Sequence, residues 1–144
     1  MPAILDHLAA LLTSAPLFRR GLVRREQARL EGTWVSAEFE ALGRRLSSEE
    51  ADRRQITLRF RGDRVTMNQR GALEGTYAVD PWGQPRTIDL TLQLSDCLLT
   101  LRAVYELEDD ALTLHLGGLD GRRPADFTTR PGTPSQLIHF RRQA

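Results

Sequence analysis

Apolar and polar residues alternate along most of the chain from residue 33 onward, which is the pattern of strands that bury one face. The clearest stretch, residues 87–94, sets four aliphatic side chains against polar neighbours. Such stretches predict eight strands, near residues 35–39, 56–60, 65–67, 77–79, 88–94, 99–107, 112–116 and 138–140. Short turns separate most of them, so the sequence predicts an antiparallel sandwich or barrel.

The number of strands favours a barrel, because eight is the count at which an up-and-down antiparallel barrel closes. Such a barrel either fills its interior with side chains or holds one small ligand. Ser47, followed three residues later by Glu50, forms a capping box and predicts a short helix near residues 48–54. We therefore predict a mainly β fold, with this helix in the first inter-strand loop.

The first 28 residues follow a helical period instead of alternation. The apolar positions at helical spacing are Ile4, Leu5, Leu8, Leu11 and Leu12. Pro16 permits a second helix, which is rich in arginine. We divide the chain into a helical N-terminal extension, residues 1–28, and a barrel domain, residues 29–144. The extension either packs on the barrel or a second subunit, or forms a basic arm for an anionic surface or partner.

The two parts meet at Gly32-Thr33-Trp34. In an up-and-down barrel the last strand lies beside the first, which brings Arg142 to the end of the barrel that holds Trp34. We expect the guanidinium to lie over the indole, and Gly32, Trp34 and Arg142 to close this end.

The first strand places Val35, Ala37 and Phe39 on the inner face by alternation. Trp34 is out of step with these three residues. We therefore expect it in a turn, or in a bulged entry, before the strand begins.

The predicted interior is almost wholly apolar. We predict that the residues lining a ligand cavity are Phe39, Leu58, Phe60, Met67, Tyr77, Leu92, Leu101 and Tyr105. Ligand pockets usually add a few placed polar groups, and here the two tyrosine hydroxyls alone qualify. An interior filled by its own side chains therefore stands beside a cavity for a small apolar ligand. The loops at the opposite end carry eight arginines and seven acidic residues, a balance that gives little support to an anionic ligand.

Composition narrows the function classes. The net charge of +1 argues against a protein that coats nucleic acid. All 20 basic residues are arginine, so catalysis through a lysine side chain is excluded. Cys97 is the one cysteine, so no internal disulfide forms. No apolar run is long enough to span a membrane, and the N-terminal residues lack the basic start and the cleavage site of a signal peptide, so we expect a cytoplasmic protein.

No catalytic signature is present in the sequence. His115 and His139 fall on the outward faces of the last two predicted strands and are expected as cross-strand neighbours, but they lack a clear third ligand. Cys97 lies beside Asp96, which disfavours a thiolate. We expect no enzyme activity, no metal and no cofactor.

Several motifs occur in a fixed order. They are Leu30-Glu31-Gly32-Thr33-Trp34, residues 56–63, residues 75–81, residues 85–91, Tyr105-Glu106-Leu107-Glu108, residues 123–127 and Pro131-Gly132. Over residues 29–142 the chain resembles a family of small lipocalin-like (calycin-type) domains common in planctomycete bacteria. The resemblance implies a lipocalin-like barrel opened by a Gly-X-Trp motif, and no established activity. Ligand binding follows from it by analogy.

These observations predict a non-enzymatic lipocalin-like domain that binds a small apolar ligand in the barrel. The alternative is a closed-core interaction or scaffold module. It would act through the basic N-terminal helical arm, residues 1–28, on a protein partner or by forming a homo-oligomer.

Overall fold

The architecture is a closed antiparallel barrel of eight strands, with a helix before it and one additional short strand. A computed structural model describes residues 16–144, so the helix expected over residues 3–12 lies outside the described residues. The helices are α1 (Pro16–Leu30) and α2 (Ser48–Arg53). The strands are β1 (Gly32–Ala41), β2 (Arg44–Arg45), β3 (Thr57–Arg61), β4 (Arg64–Asn68), β5 (Ala72–Asp80), β6 (Arg86–Gln93), β7 (Leu98–Glu108), β8 (Ala111–Leu116) and β9 (Gln136–Arg142).

Each strand from β3 to β8 pairs with the next in the chain. Strand β1 pairs with β3, and its pairing with β9 closes the barrel. This confirms the predicted up-and-down barrel. Strand β2 is additional and forms a hairpin on the end of β1 through Leu42 and Gly43, which both have positive φ. The sequence did not reveal β2 because two residues are too short to show alternation.

A β-bulge in β1 corrects the predicted inner face. In the pairing with β9 the register shifts at Ala37, which is the extra residue. Trp34, Ser36 and Phe39 are therefore buried, whereas Val35 is half-buried and Ala37 is exposed. The prediction that Trp34 precedes the strand was wrong, because the bulge that changes the alternation lies after it.

Helix α2 forms as the capping box predicted. The Ser47 hydroxyl accepts a hydrogen bond from the Glu50 backbone N–H at 3.2 Å and donates one to the Glu50 side chain at 3.3 Å. Ala51 is buried and attaches the helix to the barrel. Helix α1 runs to Leu30, two residues beyond the predicted end of the extension, and Leu30 is fully buried. The last turn of α1 is thus part of the barrel's core.

The strand directions define two ends of the barrel. The closed end contains Gly32, Arg142 and the turns at residues 62–63, 81–85 and 109–110. The open end contains residues 42–56, 69–71, 94–97 and 117–135. Candidate sites lie at both ends.

Candidate functional sites at the two ends of the barrel

At the closed end, Arg142 covers Trp34 and binds the end of helix α1. The guanidinium carbon lies 4.2 Å from the ring centroid of the fully buried Trp34, so the contact expected from the sequence is present. The same guanidinium donates hydrogen bonds to the carbonyls of Arg29 at 2.7 Å and Glu31 at 2.6 Å. The Trp34 indole N–H donates to the Leu30 carbonyl at 2.8 Å. These bonds satisfy carbonyls that a helix leaves unpaired at its C-terminus.

Gly32 gives the backbone the conformation that joins helix α1 to strand β1 at this end. Its φ is +119°, a backbone conformation that residues other than glycine rarely adopt. A Cβ there would stand 3.4 Å from an Arg142 nitrogen, which is an ordinary contact, so the backbone conformation rather than a lack of space favours glycine. The Gly-X-Trp motif therefore has a local physical explanation, which is the closure of the barrel around Trp34.

A buried polar cluster on α1, which the sequence did not predict, also closes this end. Glu26 is 4% exposed and accepts a hydrogen bond from the Tyr105 hydroxyl at 2.5 Å. The Glu26 carboxylate also pairs with Arg29 at 2.8 Å and with Arg86 at 3.3 Å. The signal was available in part, since Glu26 is the one acidic residue of an arginine-rich helix. Its partner on the barrel could not be identified without the fold.

Both tyrosines use their hydroxyls for structure rather than for a ligand. Burial raises the pKa of the Tyr105 hydroxyl above its usual range, and the hydrogen bond to Glu26 raises that pKa further. The Tyr77 hydroxyl donates to the Gly62 carbonyl at 2.7 Å, and burial raises its pKa, with the charges of Glu31 and Asp63 adding to the shift. Each hydroxyl has a protein partner and is committed to the fold.

The residues predicted to line a ligand cavity belong mostly to the packed interior. Six are buried in the core, namely Phe39, Leu58, Phe60, Tyr77, Leu92 and Tyr105. Two are half-buried and pack against it, namely Met67 and Leu101. The rings of Phe60 and Tyr77 meet edge to face, with centroids 4.8 Å apart. Of the eight residues, Leu101 is the one that lines the cleft at the open end.

We call this feature the open-end cleft, which has a volume of about 470 Å³. Its lining consists of Ala41, Leu42, Arg54, Leu101, Leu116, Gly117, Gly118, Leu119, Pro134, Ser135 and Gln136. Leu101 and Leu116 come from the inner face of the barrel, whereas Leu42 and Leu119 stand on its rim, 56% and 83% exposed. Arg54 is the charged residue in this lining. The cleft can therefore bury an apolar group beside a single cation.

Leu42 is held in an unfavourable conformation at this rim. Its φ is +55°, in the left-handed region that branched and bulky side chains rarely adopt. Such a residue costs about 1–2 kcal/mol relative to the right-handed conformation. An exposed leucine at a strained position contributes little to folding, so the site is a candidate for a role in binding.

The long loop of residues 117–135 folds over the outer face of β7, β8 and β9. It buries Val104, His115 and Leu137, which point out of the barrel. His115 Nδ1 lies 2.5 Å from the Asp126 carbonyl, which can only accept, so Nδ1 carries the proton. Nε2 lies within hydrogen-bond distance of the Ser135 hydroxyl, at 2.8 Å. Both ring nitrogens of His115 therefore hold the loop in place.

His115 and His139 lie on adjacent strands as predicted, but they are offset by two residues and do not pair directly. His115 pairs with Leu137, and His139 pairs with Thr113, whose hydroxyl lies 3.1 Å from Nδ1 of His139. Within residues 16–144, no group of three or more histidine, cysteine or acidic side chains is placed to hold a metal ion. Neither helix described by the structure is long and apolar enough to cross a membrane.

The fold and its two ends define the class of protein. It is a closed eight-stranded antiparallel barrel in which tryptophan and arginine close one end and a cleft opens the other. Comparison of the chain with protein-family models, with curated proteins and with solved structures found no match. Membership of the lipocalin-like family therefore stays a prediction.

Proposed function

We propose that this protein is a non-enzymatic, lipocalin-like binding domain that takes a small apolar ligand at the open end of its barrel. The observation that carries the proposal is the open-end cleft, whose volume of about 470 Å³ is that of a small-molecule pocket. The family membership and a cytoplasmic location are parts of the same proposal. The closure formed by Gly32, Trp34 and Arg142 supports the family membership. The exposed free thiol of Cys97 supports the cytoplasmic location, since a reducing compartment keeps thiols free.

The exposed leucines explain why a ligand would bind. Burying a leucine side chain is worth about 1.5–3 kcal/mol, and Leu42 and Leu119 leave most of that free energy unused. A ligand seated between them, on Leu101 and Leu116, would recover part of it. Because the interior towards the closed end is packed with side chains, the ligand would occupy the open end of the barrel rather than its full depth.

An uncharged fluorescent dye such as N-phenylnaphthylamine tests the proposal, because its emission rises in an apolar site. Replacing Leu119 with serine should weaken dye binding about tenfold, the effect of losing roughly 1.4 kcal/mol of apolar contact. Native mass spectrometry of gently purified protein should also reveal a bound apolar molecule. A chain that binds no dye and carries no such molecule would contradict the proposal.

Leu98 provides a matched control. It is a leucine at the same end of the barrel, 64% exposed, and it does not line the cleft. Leu98→Ser makes the same chemical change at another exposed leucine and should leave dye binding unchanged. Equal losses in Leu98→Ser and Leu119→Ser would show that the dye responds to exposed leucines in general.

The second candidate function is an interaction module that acts through α1 or by self-association. The arginines on the exposed side of α1 support it. Deletion of residues 1–28 is an unsuitable test, because it removes Glu26 and most of the helix that Arg142 and Trp34 bind. Substitution of the exposed arginines, followed by measurement of mass in solution, is the appropriate experiment.

A further inference from the structure

Helix α1 and the turn after β5 present an aromatic and cationic surface at the closed end, far from the open-end cleft. Trp82 is 40% exposed, and the Arg19 guanidinium lies 5.7 Å from its ring centroid. Phe18, one residue before Arg19, is exposed as well. A shallow cavity of about 270 Å³ lies between Leu22, Arg25 and Trp82, which shows that the indole stands against this side of α1.

The charge of this surface is not neutralised within the helix. Five of the 15 residues of α1 are arginine, and the single acid, Glu26, is buried and paired with Arg29 and Arg86. Three arginines of α1 are exposed and form no ion pair within residues 16–144, namely Arg20, Arg24 and Arg25. The nearest acid in the sequence to the indole is Asp80, whose carboxylate accepts a hydrogen bond from the Trp82 backbone N–H at 3.1 Å.

The sequence that leads into this surface is apolar at helical spacing, at Ile4, Leu5, Leu8, Leu11 and Leu12. Pro16 begins α1 two residues before Phe18. Indole and phenyl rings beside arginines suit the boundary of a bilayer, where rings lie at headgroup level and guanidinium groups meet lipid phosphates. A nucleic acid would engage the arginines, whereas a lipid surface would engage the arginines and bury the exposed rings of Phe18 and Trp82 as well.

We propose that the closed end docks on an anionic lipid surface through Phe18, Trp82 and the exposed arginines of α1. The docking surface shares no residue with the open-end cleft. A docked barrel would keep the open-end cleft facing water, so ligand binding and docking can occur together.

Tryptophan fluorescence of the full chain provides a direct test. Trp34 is fully buried, so a shift of emission to shorter wavelength on adding vesicles would report Trp82. We expect this shift, together with co-sedimentation, for vesicles of phosphatidylcholine mixed with phosphatidylglycerol. Vesicles of phosphatidylcholine alone should bind weakly. The triple variant Arg20→Gln, Arg24→Gln, Arg25→Gln should lower the partition coefficient roughly 100-fold.

A matched triple variant distinguishes this surface from charge in general. Arg53, Arg70 and Arg122 are exposed at the open end, so replacing them with glutamine removes the same charge elsewhere. This variant should keep nearly all vesicle binding, and Trp82→Ser should lose much of it by sedimentation. Equal losses in both triple variants would overturn the proposal. Tighter binding to duplex RNA or polyglutamate, without an emission shift, would overturn it in favour of those partners.

Discussion

The Tyr105 hydroxyl, on the inner face of β7, donates a hydrogen bond of 2.5 Å to the buried carboxylate of Glu26 in α1. The two residues are 79 positions apart, and their contact joins the N-terminal helix to the interior of the barrel. Arg86 and Arg29 complete the cluster from β6 and α1. The closed end is therefore built from both parts of the chain, the helix α1 and the barrel.

Replacing Glu26 with glutamine should lower the free energy of unfolding by about 2 kcal/mol. The amide keeps the shape of the side chain but loses the charge-assisted hydrogen bonds from Tyr105, Arg29 and Arg86. Urea denaturation measures the loss. Glu106→Gln is the control, because Glu106 is exposed on β7 and should change stability by less than about 0.5 kcal/mol. Similar losses in the two variants would show that Glu26 has no special role.

Stability should fall as the pH rises above about 10. Below that pH both tyrosines are neutral in the folded and in the unfolded chain. Above it the unfolded chain loses the two tyrosine protons, whereas the folded chain retains them because burial raises the pKa of Tyr77 and Tyr105. Each tyrosine should lower the free energy of unfolding by about 1.4 kcal/mol per pH unit. The sequence contains no lysine, so no amine side chain titrates in the same range.

Two measurements check this alkaline loss. Urea midpoints across the range give the slope, which Tyr77→Phe should halve. Tyrosinate absorbance should appear together with unfolding and not before it. Absorbance that rises near pH 10 in the folded protein would contradict the burial of both hydroxyls.

Arg142→Lys should destabilise the protein by about 2 kcal/mol although the charge is kept. An ammonium cannot lie flat on the Trp34 indole and donate to the Arg29 and Glu31 carbonyls at the same time. Thermal denaturation compares this variant with Arg141→Lys, in which the neighbouring exposed arginine is replaced. A loss no larger than that of Arg141→Lys would mean that the planar guanidinium is not needed.

Leu42→Asn should stabilise the protein by about 0.5–1 kcal/mol while weakening dye binding at the open-end cleft. Asparagine accepts the positive φ of this position more readily than leucine, and it removes apolar surface from the rim. Urea denaturation and dye titration on the same sample give both effects. Tighter dye binding by the asparagine variant would exclude a role for the Leu42 side chain in the cleft.

Local sequence signals were sufficient for most of the framework. Alternation located the eight barrel strands, and Ser47 with Glu50 located α2. The up-and-down order then placed Arg142 beside Trp34, because the last strand of such a barrel must lie against the first. Side-chain period and capping depend on residues that are close together in the sequence, and the strand directions follow from the order of the strands.

The bulge at Ala37, the burial of Glu26 and the position of the open-end cleft were decided by the tertiary structure. The bulge shifts by one residue which side chains of β1 face inward, and no particular residue type identifies a bulge in a sequence. Glu26 becomes a buried carboxylate because Tyr105 and Arg86 reach it from strands far away in the chain. The cleft is formed by Leu42, Leu119 and Leu101, which share a surface only after the barrel closes. Sequence by itself therefore determined the strands and their order, whereas contacts between distant residues determined which surfaces are left to bind.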